Sequence, residues 1–108
     1  MRALSIRQPY AEEILRGIKK IEYRSHRTRI IGEPFYIYAS KEPGDPERFA
    51  QLGVKPGGLP TGVIVGIATI SKCTGANGKF EWNLSDVERV AHHRKPTGRP
   101  QPIWFNPF

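Results

Sequence analysis

The sequence predicts one α+β domain, a small β-barrel of five to six mostly antiparallel strands with two or three short helices packed outside. Three observations point there. Short alternating or β-branched runs recur along the chain. The two helical stretches fall between strands instead of alternating with each one, which disfavours a doubly wound sheet. The chain has 108 residues, and a domain of that size buries roughly two thirds of its unfolded surface, enough for a single core. Residues 1–108 therefore read as one domain.

The elements follow in order. Residues 2–6 read as a short strand. Gln8-Pro9 then opens a helix, with Pro9 at the first helical position, where a missing N–H costs nothing. Ala11, Ile14, Leu15 and Ile18 recur at helical spacing and predict one apolar face. Glu12 and Glu13 in the first turn and Arg16 in the last match the helix dipole, and Gly17 is a natural stop. Residues 19–24 alternate between charged side chains and Ile21 and Tyr23, as a half-buried strand does. Residues 25–29 form a basic turn, and residues 35–40 an aromatic-rich strand.

Residues 41–62 hold five Gly and four Pro and read mostly as loop. Inside it, Asp45 can cap a short helix beginning at Pro46, with Phe49 and Leu52 inward and Gly53 as its stop. Residues 62–70 are almost continuously apolar and β-branched, a buried strand with a bend at Gly66. Residues 72–79 read as a polar turn and residues 80–84 as an alternating strand, continued after a break by Val87 and Val90. Residues 92–102 are a Pro-rich basic loop, and Ile103, Trp104 and Phe105 close the sheet. Leu4, Ile6, Ile14, Leu15, Ile37, residues 63–65, Ile67, Ala68 and Ile70 are expected in one barrel core.

Lys and Arg number 17 against 10 Asp and Glu, a formal net charge of +7. That excess favours polyanionic partners, nucleic acid or nucleotides above all. The single cysteine, Cys73, can form neither an internal disulfide nor a Cys-rich zinc site, which suits a reducing cytoplasm. No apolar run approaches the length of a membrane span, and no segment of signal-peptide type opens the chain, so no membrane partner is expected. His92 and His93 are adjacent with no third ligand at suitable spacing, so no metal and no cofactor is expected. Gly75, Gly78 and Lys79 lack the spacing of a phosphate-binding loop.

Two blocks carry a resemblance. Leu4-Ser5-Ile6-Arg7-Gln8-Pro9-Tyr10-Ala11, followed by Ile14-Leu15-x-Gly17-x-Lys19-Lys20-Ile21-Glu22-x-Arg24, resembles the opening of ASCH domains, relatives of the PUA RNA-binding barrel. Residues 36–41, 62–70, Phe80-x-Trp82-x-Leu84 and Ile103-Trp104 resemble its later elements more loosely. The resemblance implies a PUA-like barrel, a cleft near the first strand-to-helix turn, and RNA binding. A few relatives are hydrolases, including an acetylated-cytidine amidohydrolase and nucleases.

The candidate ligand residues gather around that turn. Arg7 and Gln8 stand between the first strand and the helix start. A helix N-terminus attracts anions, and Arg adds a planar fork suited to phosphate. Lys19, Glu22 and Arg24 suggest a polar pocket floor, in which Glu22 accepts from a base amine and a cation holds phosphate. Both Lys19 and Glu22 can line it only if the strand starts irregularly. The same three residues could instead form a structural ion pair, or Arg7 could simply pair with Glu22. Ser40 and Lys41, ending the next strand, join the set. Residues 16–29 carry six Lys and Arg against one Glu, and Arg27 and Arg29 in that cluster suit a nucleic-acid backbone; a solvated edge protected by charge is the plainer reading. Strand aromatics in a small barrel are more often core, but Trp82, flanked by Glu81 and Asn83, is the best candidate to stack on a base.

The leading expectation is a monomeric module that binds RNA or a nucleotide-like ligand, with no catalytic residue assigned. The alternative is a small hydrolase acting on a modified nucleoside or RNA in the same cleft. In the amidohydrolase relatives a threonine nucleophile follows the matching lysine by three positions, and Glu22 stands there in this chain, which removes that route. A third reading is a basic face for an acidic protein partner.

Overall fold

Ala3, Leu4, Ser5 and Ile6 are all buried, so the opening strand β1 (Ala3–Arg7) runs between layers rather than along a surface. The computed structural model describes residues 1–108. After β1 come α1 (Tyr10–Leu15), β2 (Ile21–Arg24), β3 (Phe35–Ser40), α2 (Pro46–Gln51), β4 (Val63–Ala76), β5 (Lys79–Arg94) and β6 (Trp104–Phe105). The six strands form one mixed sheet in the order β2-β5-β4-β3-β1-β6. Only β1 and β3 run parallel, with Leu4 beside Ile37; the other four pairings are antiparallel.

The backbone ladders do not close this sheet into the expected barrel, because β2 and β6 are its two outer strands. Side chains span the gap instead. Trp82 of β5 stacks on Trp104 of β6, with ring centres 5.9 Å apart and planes 8° from parallel. Arg24 of β2 donates from Nη2 to the Ser5 carbonyl of β1 at 2.8 Å. These two contacts link β5 to β6 and β2 to β1 across the side that the ladders leave open.

The core is divided, not single. Leu4, Ile6, Ile14, Phe35, Ile37, Val65, Ala68, Ile70 and Trp82 belong to the larger cluster. Ala3, Tyr38, Ile64 and Phe105 form a smaller one on the other face of the sheet. Alternation along β3 explains the split, since Ile37 and Tyr38 point to opposite faces and both are buried. Ile64 therefore leaves the larger core, and Ile67 is only half-buried.

The β4–β5 hairpin is longer than the side-chain pattern predicts. The polar stretch 72–79 is not a turn but the end of β4, a tight turn at Asn77 and Gly78, and the start of β5. Both turn residues have positive φ, 53° and 75°, as the two-residue turns that match strand twist require. Residues 85–94 continue β5 without a break, through register shifts opposite β4. A strand outside the core needs only its ladder hydrogen bonds, so its side chains carry no apolar signal.

Helix α1 is shorter than expected. Pro9 is its N-cap rather than its first residue, and Arg16 its C-cap. Gly17, at φ +77°, turns the chain out of the helix. Ile18 lies beyond that point and is 58% exposed, so the apolar face stops at Leu15. Gly66 lets α1 approach the sheet: a Cβ there would sit 2.5 Å from Leu15 Cδ2. Glu12 and Glu13 stand in the first turn as expected but are buried, and Arg16 is the C-cap rather than part of the last turn. Each is matched by an arginine from afar. Arg89 grips both Glu12 carboxylate oxygens at 2.9 and 3.1 Å, and Arg48 reaches Glu13 at 2.7 Å. Helix α2 starts as the sequence indicates, with Asp45 accepting from the Glu47 N–H.

Candidate functional site

The unclosed side of the sheet is a cleft of about 680 Å³. β1 contributes Ser5, Ile6 and Arg7 to it, β2 contributes Glu22 and Arg24, and β3 contributes Tyr38 and Ser40. Lys41 and Glu42 follow β3, Tyr10 stands at the start of α1, and residues 100–102 form the remaining wall. Five of the expected site residues, Arg7, Glu22, Arg24, Ser40 and Lys41, therefore meet in one place although they come from three strands and the residue that follows β3.

Glu22 and Arg24 leave β2 on the same face, two residues apart. Glu22 is buried and Arg24 mostly so. The Arg24 guanidinium contacts Glu22 Oε2 through Nη2 at 2.7 Å and through Nε at 2.9 Å. Its Nη2 also serves Ser5. The Ser5 N–H donates to Ile103 at 3.0 Å, so beyond the end of β6 the Ser5 carbonyl has no strand to pair with. Arg24 supplies the missing donor.

Lys19 does not line the cleft. It lies ahead of β2, the irregular start that the pocket-floor reading demands, and its Nζ approaches Glu22 Oε1 at 3.5 Å. The same Nζ lies 5.8 Å from the Tyr10 ring centre and 5.0 Å from that of Tyr23. A carboxylate and two aromatic faces together suit a cation. Glu22 thus faces two cations, and both its oxygens are engaged within the fold.

Arg7 and Lys41 stand at the exposed mouth. Arg7 pairs with Glu42 at 3.3 Å rather than with Glu22. Both partners are exposed, so this bridge contributes little and yields readily to a competing anion. Tyr38 and Ser40 also line the cleft. Burial raises the Tyr38 phenol above its ordinary value, which keeps it a neutral donor and acceptor.

Gln8 holds the site together from below. Its Oε1 accepts the Glu12 N–H at 3.0 Å and its Nε2 donates to Pro60 at 2.9 Å. Its backbone carbonyl takes the Gly44 N–H at 2.7 Å. Gln8 is fully buried, and it occupies the start of α1 that the sequence offered to an anion. Ser5, Ile6, Tyr10, Tyr38, Glu42 and residues 100–102 line the cleft without having been expected there. Ser5, Ile6 and Tyr10 lay inside the quoted opening block and Tyr38 inside the looser 36–41 match, so these four carried a signal.

Trp82 is corrected outright. It is 1% exposed, and its indole N–H donates to the His26 carbonyl at 3.0 Å. Its flanking polar residues are outward neighbours on an alternating strand, not its surroundings. Arg27 and Arg29 are exposed and outside the cleft; Arg27 lies 5.4 Å from the Phe80 ring centre. His92 and His93 are exposed at the end of β5.

A small α+β domain with a polar, cation-bearing cleft beside its first strand-to-helix turn is the class of protein defined here. Residues 4–98 match the ASCH domain model, and the chain belongs to the ASCH domain family. ASCH domains are generally thought to bind RNA. No curated protein matches the chain.

Proposed function

We propose that the chain is an RNA- or nucleotide-binding module and that the cleft between β1 and β2 is its binding site. One observation supports this reading: Arg7, Arg24 and Lys41 line one cavity together with Tyr38 and Ser40. Cations meet phosphate, and hydroxyls meet the edges of a base or sugar. Glu22 serves as the fixed counter-charge that orients Arg24 and Lys19. Gln8 positions the cleft without touching the ligand. Arg27 and Arg29 lie outside it and suit the backbone of a longer strand. The sheet is read as the family's PUA-like barrel, held shut by the Trp82–Trp104 stack, in a chain that acts as a monomer in the cytoplasm.

Lys19 favours binding over hydrolysis, since a base or nucleophile must be free and Lys19 is held by Glu22 and two rings. Native mass spectrometry of the protein mixed with ribonucleosides, ribonucleotides and short RNAs tests the reading. Specific adducts that weaken in Arg7→Gln and Lys41→Gln are expected. Absence of adducts, or turnover of acetylated cytidine that is lost in Lys19→Met, would overturn it.

A further inference from the structure

A second cavity adjoins the cleft across β2. It has a volume of about 590 Å³ and lies against the β4–β5 turn. Arg24 borders both cavities. Its walls are Tyr23, Lys79, Phe80 and Glu81, and its floor includes Gly75 and Gly78, which present no side chains.

Tyr23 is 63% exposed, an unusual state for a strand tyrosine that has a hydrophobic core to enter. It cannot enter, because alternation along β2 commits its neighbours Glu22 and Arg24 to the cleft face. Lys19, 5.0 Å from the ring centre, steadies it from one side. Lys79 is exposed beside it, and Arg27 lies over the neighbouring Phe80 ring. Lys79 lines the groove, and Lys19 and Arg27 flank its Tyr23 and Phe80 rings against Glu81 alone, so its surroundings are cationic. The tight Asn77–Gly78 turn and the paired strands behind it fix the groove in shape.

An aromatic face beside two or three cations, on a rigid floor, is the arrangement that holds an unpaired nucleotide by stacking and by its phosphate. We infer that this groove is a second subsite, which takes a nucleotide flanking the one in the cleft, so that a single-stranded RNA bends around the edge of β2. The inference rests on the proposed use of the cleft. It adds that the ligand is a strand rather than a free nucleotide, and it gives Tyr23 and Lys79 a role.

Isothermal titration tests it with two probes, the four ribonucleoside 5′-monophosphates and single-stranded hexaribonucleotides of mixed sequence. Hexamers should bind the wild type at least about tenfold tighter than monophosphates, since stacking and one phosphate contact supply that much. Tyr23→Ser and Lys79→Gln should each lose most of this gain while binding monophosphates as the wild type does. Tyr23→Phe, which keeps the ring, should restore it. Hexamers no tighter than monophosphates, or equally tight in Tyr23→Ser, would overturn the second subsite and leave the cleft intact. Hexamers that bind through Tyr23 while monophosphates do not bind at all would sink the cleft reading instead. A decaglutamate peptide that binds tighter than the hexamers, and needs Tyr23, would make the groove a protein site and overturn the inference.

Discussion

The guanidinium of Arg24 joins two strands that share no ladder: Nη2 lies 2.7 Å from Glu22 Oε2 on β2 and 2.8 Å from the Ser5 carbonyl on β1. It acts where the sheet fails to close, and the cleft exists because a side chain, not a strand, fills that place. Arg24→Ala should leave a buried carbonyl unpaired and Glu22 with Lys19 alone. A loss of about 2–3 kcal/mol is expected from these unmet groups. Arg24→Lys, a point charge without the fork, should fall between. Urea unfolding of the three proteins measures this, and equal midpoints would refute the bridging role.

The second prediction concerns acid. Glu12 is held below its ordinary carboxyl value of 4.5, first by the hydrogen bonds from Arg89 and then by Arg16, against desolvation, which pushes it up. Its folded value is lowered, so its contribution is complete above 4.5 and is lost as the pH falls through the lower folded value. Glu12→Gln should cost about 1–3 kcal/mol at neutral pH, discounted because Arg89 is half exposed. The gap between wild type and variant should begin to narrow as the pH falls below 4.5. A gap that stays constant in urea titrations from neutral pH to pH 3 would show that the pair adds nothing specific.

Trp82 should matter for folding and not for ligand. Trp82→Ala empties a fully packed site and should cost about 3–5 kcal/mol. Trp82→Phe keeps most of the volume, loses the bond to His26, and should cost less. Neither should change RNA affinity in the folded protein. A Trp82→Phe variant of normal thermal stability but weakened RNA binding would restore the stacking role.

Arg27 and Arg29 are exposed and make no ion pair. If they touch phosphates, affinity for RNA should drop in Arg27→Ala/Arg29→Ala for every sequence. The slope of log affinity against log salt should then shallow by about 0.7 per lost contact on a single strand. An unchanged slope would mean that the turn is merely a solvated edge.

What the sequence disclosed follows from the range of each signal. Leu4, Ile6, Ile14, Ile37 and Ile70 are buried as their spacing indicates, because periodicity reports local geometry faithfully. The burial of Glu12 and Glu13 was illegible: the local Glu12–Arg16 spacing fits an exposed helix pair equally well, and the partners Arg89 and Arg48 that cover them lie far along the chain. The outer half of the β4–β5 hairpin was equally hidden, its exposed residues being free to be polar. Ile18 misled because helical spacing was extended past the turn at Gly17. Arg7, Glu22, Arg24, Ser40 and Lys41 were gathered by likeness to ASCH domains rather than by spacing, and Gln8 was placed correctly but given the wrong task.

The pairing of Ala3 with Phe105 bears on how the chain finds its fold. The β4–β5 hairpin joins neighbours and can zip outward from Asn77 and Gly78 with little loop entropy. β1 must instead capture β3 across a whole helix and strand, and then β6 from near the opposite end. Such distant closures are slow, because entropy is lost before contacts compensate. Pulsed amide labelling during refolding should therefore protect the amides of the β4–β5 ladder before that of Ser5, which donates to Ile103. The cleft, walled by β1 and the residues leading into β6, would then be among the last parts of the molecule to take shape.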